Sequence, residues 1–128
     1  MSDDAVDATE DGQALAVLAA RTASDMKATD VVVLDVGAVL SIAGYFVIAA
    51  ASNPRQVRAV VDEVEARVKS ELGRAPVRTE GVREQQWTLI DYGDVVVHVC
   101  LDSVREFYEI ARLYMVAPRI AWELFDAD

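Results

Sequence analysis

The chain is poor in the groups that carry most protein chemistry. It has one cysteine and one histidine in 128 residues. Cys100 alone excludes an internal disulfide and agrees with a reducing compartment. At the end of an apolar run it reads as small apolar filling rather than as a nucleophile. One Cys and one His give no basis for a zinc site. Basic charge is scarce as well. Twelve Lys and Arg against 22 Asp and Glu leave a net charge of −10, the opposite of a nucleic-acid binder's basic face. No apolar run reaches the roughly 18 to 20 residues that span a bilayer. The longest candidate, 31–51, is interrupted by Asp35, Gly37, Ser41 and Gly44. The first residues are acidic, so no secretory signal is read there. A soluble cytoplasmic protein is the expectation. Gly-x-Ser-x-Gly, P-loop and dinucleotide fingerprints are missing too.

What is present is enough for a core. Hydrophobic residues make up 53% of the chain, and its length suits one domain. Residues 1–11 carry Asp3, Asp4, Asp7, Glu10 and Asp11, half of the net charge. They read as a disordered acidic tail, or as an acidic surface for a basic partner. From Gly12 to about Lys27 the alanine- and leucine-rich pattern predicts a helix. Residues 31–36 and 42–51 read as strands, the second weakened or bulged at Gly44. Ser52-Asn53-Pro54 is a helix start, and Val57, Val60, Val61, Val64 and Val68 form the apolar stripe of a helix ending near Leu72. Gly73 is its stop. Residues 75–79 read as a short edge strand, since Pro76 excludes a central one. Ser103 and Glu106 fit a capping box for a last helix from 104 to about 116, stopped by Pro118. Ile120, Trp122, Leu124 and Phe125 then form an apolar tail that must dock on its own domain or on a partner. The order implies an α+β (mixed α/β) domain, one sheet of about five strands with helices packed on it. Its expected limits are 12–118, with 119–128 as a C-terminal extension.

The richest stretch is 80–99. Trp87 to Ile90 and Val95 to Val99 are β-branched, apolar runs separated by Asp91-Tyr92-Gly93-Asp94, the pattern of a hairpin. A hairpin does not need a Trp at its start, a lone His in its second strand and two carboxylates at its tip. Trp87 is either core or an interface anchor. Tyr92 and Tyr108 are positioned to extend such a patch. His98 alternates onto one face with Val96 and Cys100 and reads as structural.

The best enzymatic reading is metal-dependent nucleotidyl transfer. The segment 48–54 suits a phosphate at a helix N-terminus. Two-metal chemistry then needs an Asp-x-Asp pair on a strand, and only Asp91 is offered, with Asp94 across the turn. One strand carboxylate does not hold two metal ions. No catalytic residue, metal ligand or cofactor is expected.

These residues resemble the ribosomal silencing factor family, also called Iojap-like proteins. The marks are Lys27-Ala28-Thr29-Asp30-Val31-Val32-Val33-Leu34-Asp35-Val36, then Tyr45-Phe46-Val47-Ile48-Ala49, then Ser52-Asn53-Pro54-Arg55-Gln56-Val57. Glu80-Gly81, the run from Trp87 to Val99 and Arg105-Glu106-Phe107-Tyr108 follow. The match covers about residues 14–118. It implies a nucleotidyltransferase-like fold without the catalytic carboxylates, and no enzyme activity. It implies binding to a basic protein on the inter-subunit face of the large ribosomal subunit. That blocks joining of the small subunit and represses translation when nutrients are scarce. A homodimer of the free protein is implied too. On this reading Trp87 is the anchor, Asp91 and Asp94 pair with Lys or Arg of the partner, Tyr92 and Tyr108 flank the patch, and Glu80 sits at its rim. The alternative is a diverged nucleotidyltransferase-like domain, acting as a non-ribosomal binding module or a metal-dependent enzyme. Three positions depart from the family pattern: Gly44 replaces an acidic residue, Ala111 a Glu and Tyr114 a Trp.

Overall fold

The computed structural model describes residues 2–37, 44–84, 86–105 and 116–123. The elements are α1 (Ser2–Asp25), β1 (Thr29–Asp35), β2 (Tyr45–Ala51), α2 (Pro54–Leu72), β3 (Arg78–Arg83), β4 (Trp87–Asp91), β5 (Val95–Leu101), α3 (Asp102–Arg105) and β6 (Arg119–Ile120). Six strands form one sheet in the order β3-β4-β5-β2-β1-β6. Among the described strands only β2 and β5 run parallel, and α2 lies in the crossover between them. The other neighbours are antiparallel.

Alternation along the strands divides the sheet into two faces. Tyr45, Val47 and Ala49 of β2, Val95, Val97 and Val99 of β5, Ile90 of β4 and Val33 of β1 point to the helices. α1 meets them with Leu15, Ala16, Ala19, Ala20 and Ala23, all fully buried. Four of these five are alanines, so small side chains dominate the contact of α1 with the sheet. α2 adds Val57, Val60, Val61, Val64 and Val68, the stripe predicted from spacing alone. Each buried valine is worth roughly 1.5 kcal/mol or more over an exposed one. Asn53 caps α2 by accepting from Gln56 N–H, and the Gln56 side chain accepts in return from Ser52 N–H at 2.6 Å. Gly73 takes φ 69°, the left-handed cap that glycine adopts without steric cost.

Several expectations need correction. The helix reaches back to Ser2, so the segment read as a disordered acidic tail forms the first turns of α1. The sheet has six strands, not about five. The added one is β6, within the segment read as an extension, and it pairs with β1 through Val33–Ile120 and Leu34–Arg119. Two residues of strand carry almost no periodic signal. The tail docks on its own domain as far as Trp122. The Trp122 indole N–H donates to Val31 O at 3.1 Å, and Arg21 donates to Trp122 O at 2.8 Å. Leu124 and Phe125 lie outside the described residues. The edge strand starts at Arg78, three residues later than read. α3 starts at Asp102, so Ser103 is inside the helix rather than before it.

Candidate functional site

Cross-strand register decides which of the suspected residues meet. Trp87, Leu89 and Asp91 alternate onto the face of β4 turned away from α1 and α2. Glu80 is paired with Leu89 and Arg78 with Asp91, so both β3 charges share that face. On the inner side, Leu89 is opposite His98 and Asp91 opposite Val96. β2 adds Phe46 and Ile48, which lie beside Val96 and His98.

The buried part of this second face is a small apolar cluster of Leu34, Val36, Ile48, Cys100 and Ala117. Val32, Phe46 and Trp87 pack against it, each only partly buried. Cys100 is fully buried within this cluster. Trp87 is therefore both things at once: one side of the indole packs on the core, and the rest reaches solvent. Its Nε1–H donates to His98 Nδ1 at 3.2 Å. Towards β3 the surface turns polar. Arg78 Nε lies 3.1 Å from Glu80 and 3.4 Å from Asp91. Asp91 Oδ1 also accepts from Gly93 N–H at 2.8 Å, which shapes the turn. That turn needs its glycine, since Gly93 has φ 93°.

Tyr92 and Asp94 are elsewhere. Tyr92 is 3% exposed and packs in the core under the helices, so it does not flank the Trp87 patch. The even-numbered residue after Asp91 faces the other side of the sheet, which the turn reading overlooked. Burial, and then the nearby Glu65 carboxylate, push its phenol up to about 12 against a weaker opposing effect of Arg74. Asp94 is held by Arg74, at 2.7 Å and 3.2 Å to its two carboxylate oxygens. It is an internal ion pair rather than an offered charge. Tyr108, Ala111 and Tyr114 lie outside the described residues. Gly44 gives its N–H to Asp94 O at 2.8 Å, and a Cβ there would stand 3.2 Å from that oxygen.

The structure thus gathers three of the six suspected residues, Glu80, Trp87 and Asp91, beside Leu89. Sequence reasoning missed Phe46, His98 and Arg78 as their neighbours. Alternation within β4 was a usable signal for the face; the β2–β5 and β3–β4 registers were not readable from one sequence. Among the described residues no group of three or more His, Cys, Asp or Glu is placed to hold a metal ion. Among them, too, no helix is long and apolar enough to cross a membrane.

The family model described as "Ribosomal silencing factor during starvation" matches residues 9–128, beyond the limits read from motifs. The chain is similar to the ribosomal silencing factor of Halalkalibacterium halodurans, 37% identical over 111 residues, covering 87% of this chain and 94% of that one. It is 36% identical over 102 residues to that of Chromobacterium violaceum, covering 80% and 83%. A crystal structure of a Chromobacterium violaceum protein superposes with TM-score 0.74 at 33% identity, covering 90% of this chain and 94% of that one. The chain belongs to the ribosomal silencing factor family.

Proposed function

We propose that this protein binds the large ribosomal subunit through the β3–β4 end of its second sheet face. The partner there is a basic protein on the inter-subunit face, and the bound factor blocks joining of the small subunit. Translation is repressed in this way under nutrient limitation, in the cytoplasm. The observation that carries the reading is the gathering of Trp87, Leu89, Glu80 and Asp91 on one solvent-reaching patch of a chain with net charge −10. A part-buried Trp rimmed by carboxylates suits a basic partner: the ring anchors, and the charges steer and set register. The family is named for silencing of ribosomes during starvation, which supports the same reading.

The protein acts by occupancy rather than by catalysis. Asp91, the strand carboxylate that nucleotidyl transfer would require, is engaged by Gly93 N–H and by Arg78. Sedimentation of the purified protein with separated ribosomal subunits tests the proposal. Co-sedimentation with the large subunit alone is expected. Sedimentation with the small subunit alone, or with neither, refutes it. Calorimetry with Mg²⁺ and a nucleoside triphosphate checks the second part. Micromolar binding that is lost in Asp91→Ala would favour a nucleotidyltransferase-like activity.

A further inference from the structure

Three aromatic rings form a row across the second face. Trp87 of β4 lies 5.9 Å from His98 of β5 between ring centroids, tilted by 39°. His98 lies 4.8 Å from Phe46 of β2, tilted by 60°. The middle ring is 5% exposed, whereas its two neighbours reach solvent. Packing alone does not call for a histidine here. Its cross-strand neighbours are Leu89 and Ile48, and an apolar ring would fill the same space.

The hydrogen bond explains the choice. An indole N–H only donates, so His98 Nδ1 must present its lone pair to Trp87. A surface Trp free to change rotamer loses that freedom when a partner binds. A Trp already held in one orientation loses much less.

We infer that His98 is a positioning residue for the partner-binding face: its Nδ1 fixes the Trp87 indole so that Trp87 and Phe46 are presented together. The inference rests on the functional reading above, and its test separates the two.

The test uses protein carrying ¹⁵N in its indole rings. Trp122, which donates to Val31 O, supplies a reference signal in the same spectrum. His98→Phe keeps a ring and removes the acceptor. His98→Asn places an amide oxygen near the Nδ1 position. In His98→Phe the Trp87 indole proton is expected to move upfield and exchange faster with solvent, while Trp122 stays in place. Binding to large subunits should weaken roughly tenfold. His98→Asn should recover most of that loss, to within about threefold of the parent. Should His98→Phe fail to fold, His98→Gln replaces it, because its oxygen sits away from the Nδ1 position. An unmoved Trp87 signal, or a moved signal with unchanged binding, overturns the inference. Failure of the unsubstituted protein to bind large subunits refutes the functional reading instead. The indole spectrum then still decides whether His98 holds Trp87.

Discussion

Arg74 grips Asp94 with both terminal guanidinium nitrogens, at 2.7 Å and 3.2 Å, and donates a further bond to Tyr92 O at 2.8 Å. One residue just past the end of α2 therefore ties down the β4–β5 turn. α1 closes the same site from the other side. A Cβ on Gly12 would come within 3.1 Å of Asp94 Oδ2 and 3.4 Å of the Tyr45 ring. The bidentate contact raises the Arg74 pKa above its ordinary value. The carboxylate at the hairpin tip is thus engaged within the fold, as is Asp91, whose side chain is 18% exposed beside Arg78.

Removing that clamp should affect the fold and not the recognition. Asp94→Ala is expected to lower stability by about 1 to 2 kcal/mol, since the pair is about two-thirds buried and only partly screened. Asp94→Lys should be worse, because it turns a charge-assisted pair into a like-charge contact. Below their melting temperatures both variants should bind large subunits as the parent does. A variant with an unchanged melting temperature and weakened binding would place Asp94 in the interface after all.

Tyr92 gives a prediction about alkaline pH. Its phenol titrates near 12 in the folded chain against an ordinary value of 10.0, so folding favours the neutral form. A raised folded pKa contributes stability that is fully present below about pH 10. That contribution is lost as pH rises from about 10 towards 12. Tyr92→Phe has no proton to lose, so its stability should fall less than the parent's across that window. At pH 7 the substitution should be close to neutral or mildly stabilising. The Tyr92 hydroxyl is buried without a hydrogen-bond partner among the described residues, so no bond is lost there. Paired urea melts at pH 7 and pH 11 measure both effects. Equal losses in the two proteins would refute the assignment.

The legibility of this fold in its sequence was uneven, for physical reasons. α2 was readable from end to end, because cap, proline and glycine each have one local role and the valines repeat every three or four residues. The hairpin strands were readable from β-branched runs around a turn. β6 was not, since two residues have no period and owe their state to pairing with β1. The start of α1 is not legible, because a run of charge reads equally well as a solvated tail. Of the six residues read as a site, register brings Trp87, Asp91 and Glu80 onto one face. Tyr92 and Asp94 were misplaced because a turn reverses facing, and only register shows which side each residue takes.

Trp87→Ala should show two separable losses. The indole packs partly on the apolar cluster of the second face, so stability should fall by about 1 to 3 kcal/mol, less than for a fully buried Trp. A central aromatic anchor costs on the order of 2 to 4 kcal/mol of binding when truncated. The variant should therefore melt several degrees lower, yet remain folded at low temperature and fail to sediment with large subunits. Normal binding by the folded variant would make Trp87 a core residue only.

Arg78 is the most specific test of the charge argument. It is 63% exposed and lies between Glu80 and Asp91, so on the proposed reading it neutralises part of the acidic rim that a basic partner would meet. Exposed pairs of this kind add little to stability. Arg78→Ala should therefore leave the melting transition within about 0.5 kcal/mol of the parent. It should nevertheless tighten binding to large subunits, because both carboxylates are released to the partner. The gain should be greatest at low salt and fade as ionic strength shortens the range of the field. Asp91→Asn is the opposite case. Its amide oxygen can still accept from Gly93 N–H, so the turn is kept while the charge is lost. It should weaken binding with the same salt dependence and little change in stability. The two variants together separate charge from shape. If Arg78→Ala weakens binding instead, the guanidinium itself contacts the partner, and the recognised surface is acidic at that point rather than basic.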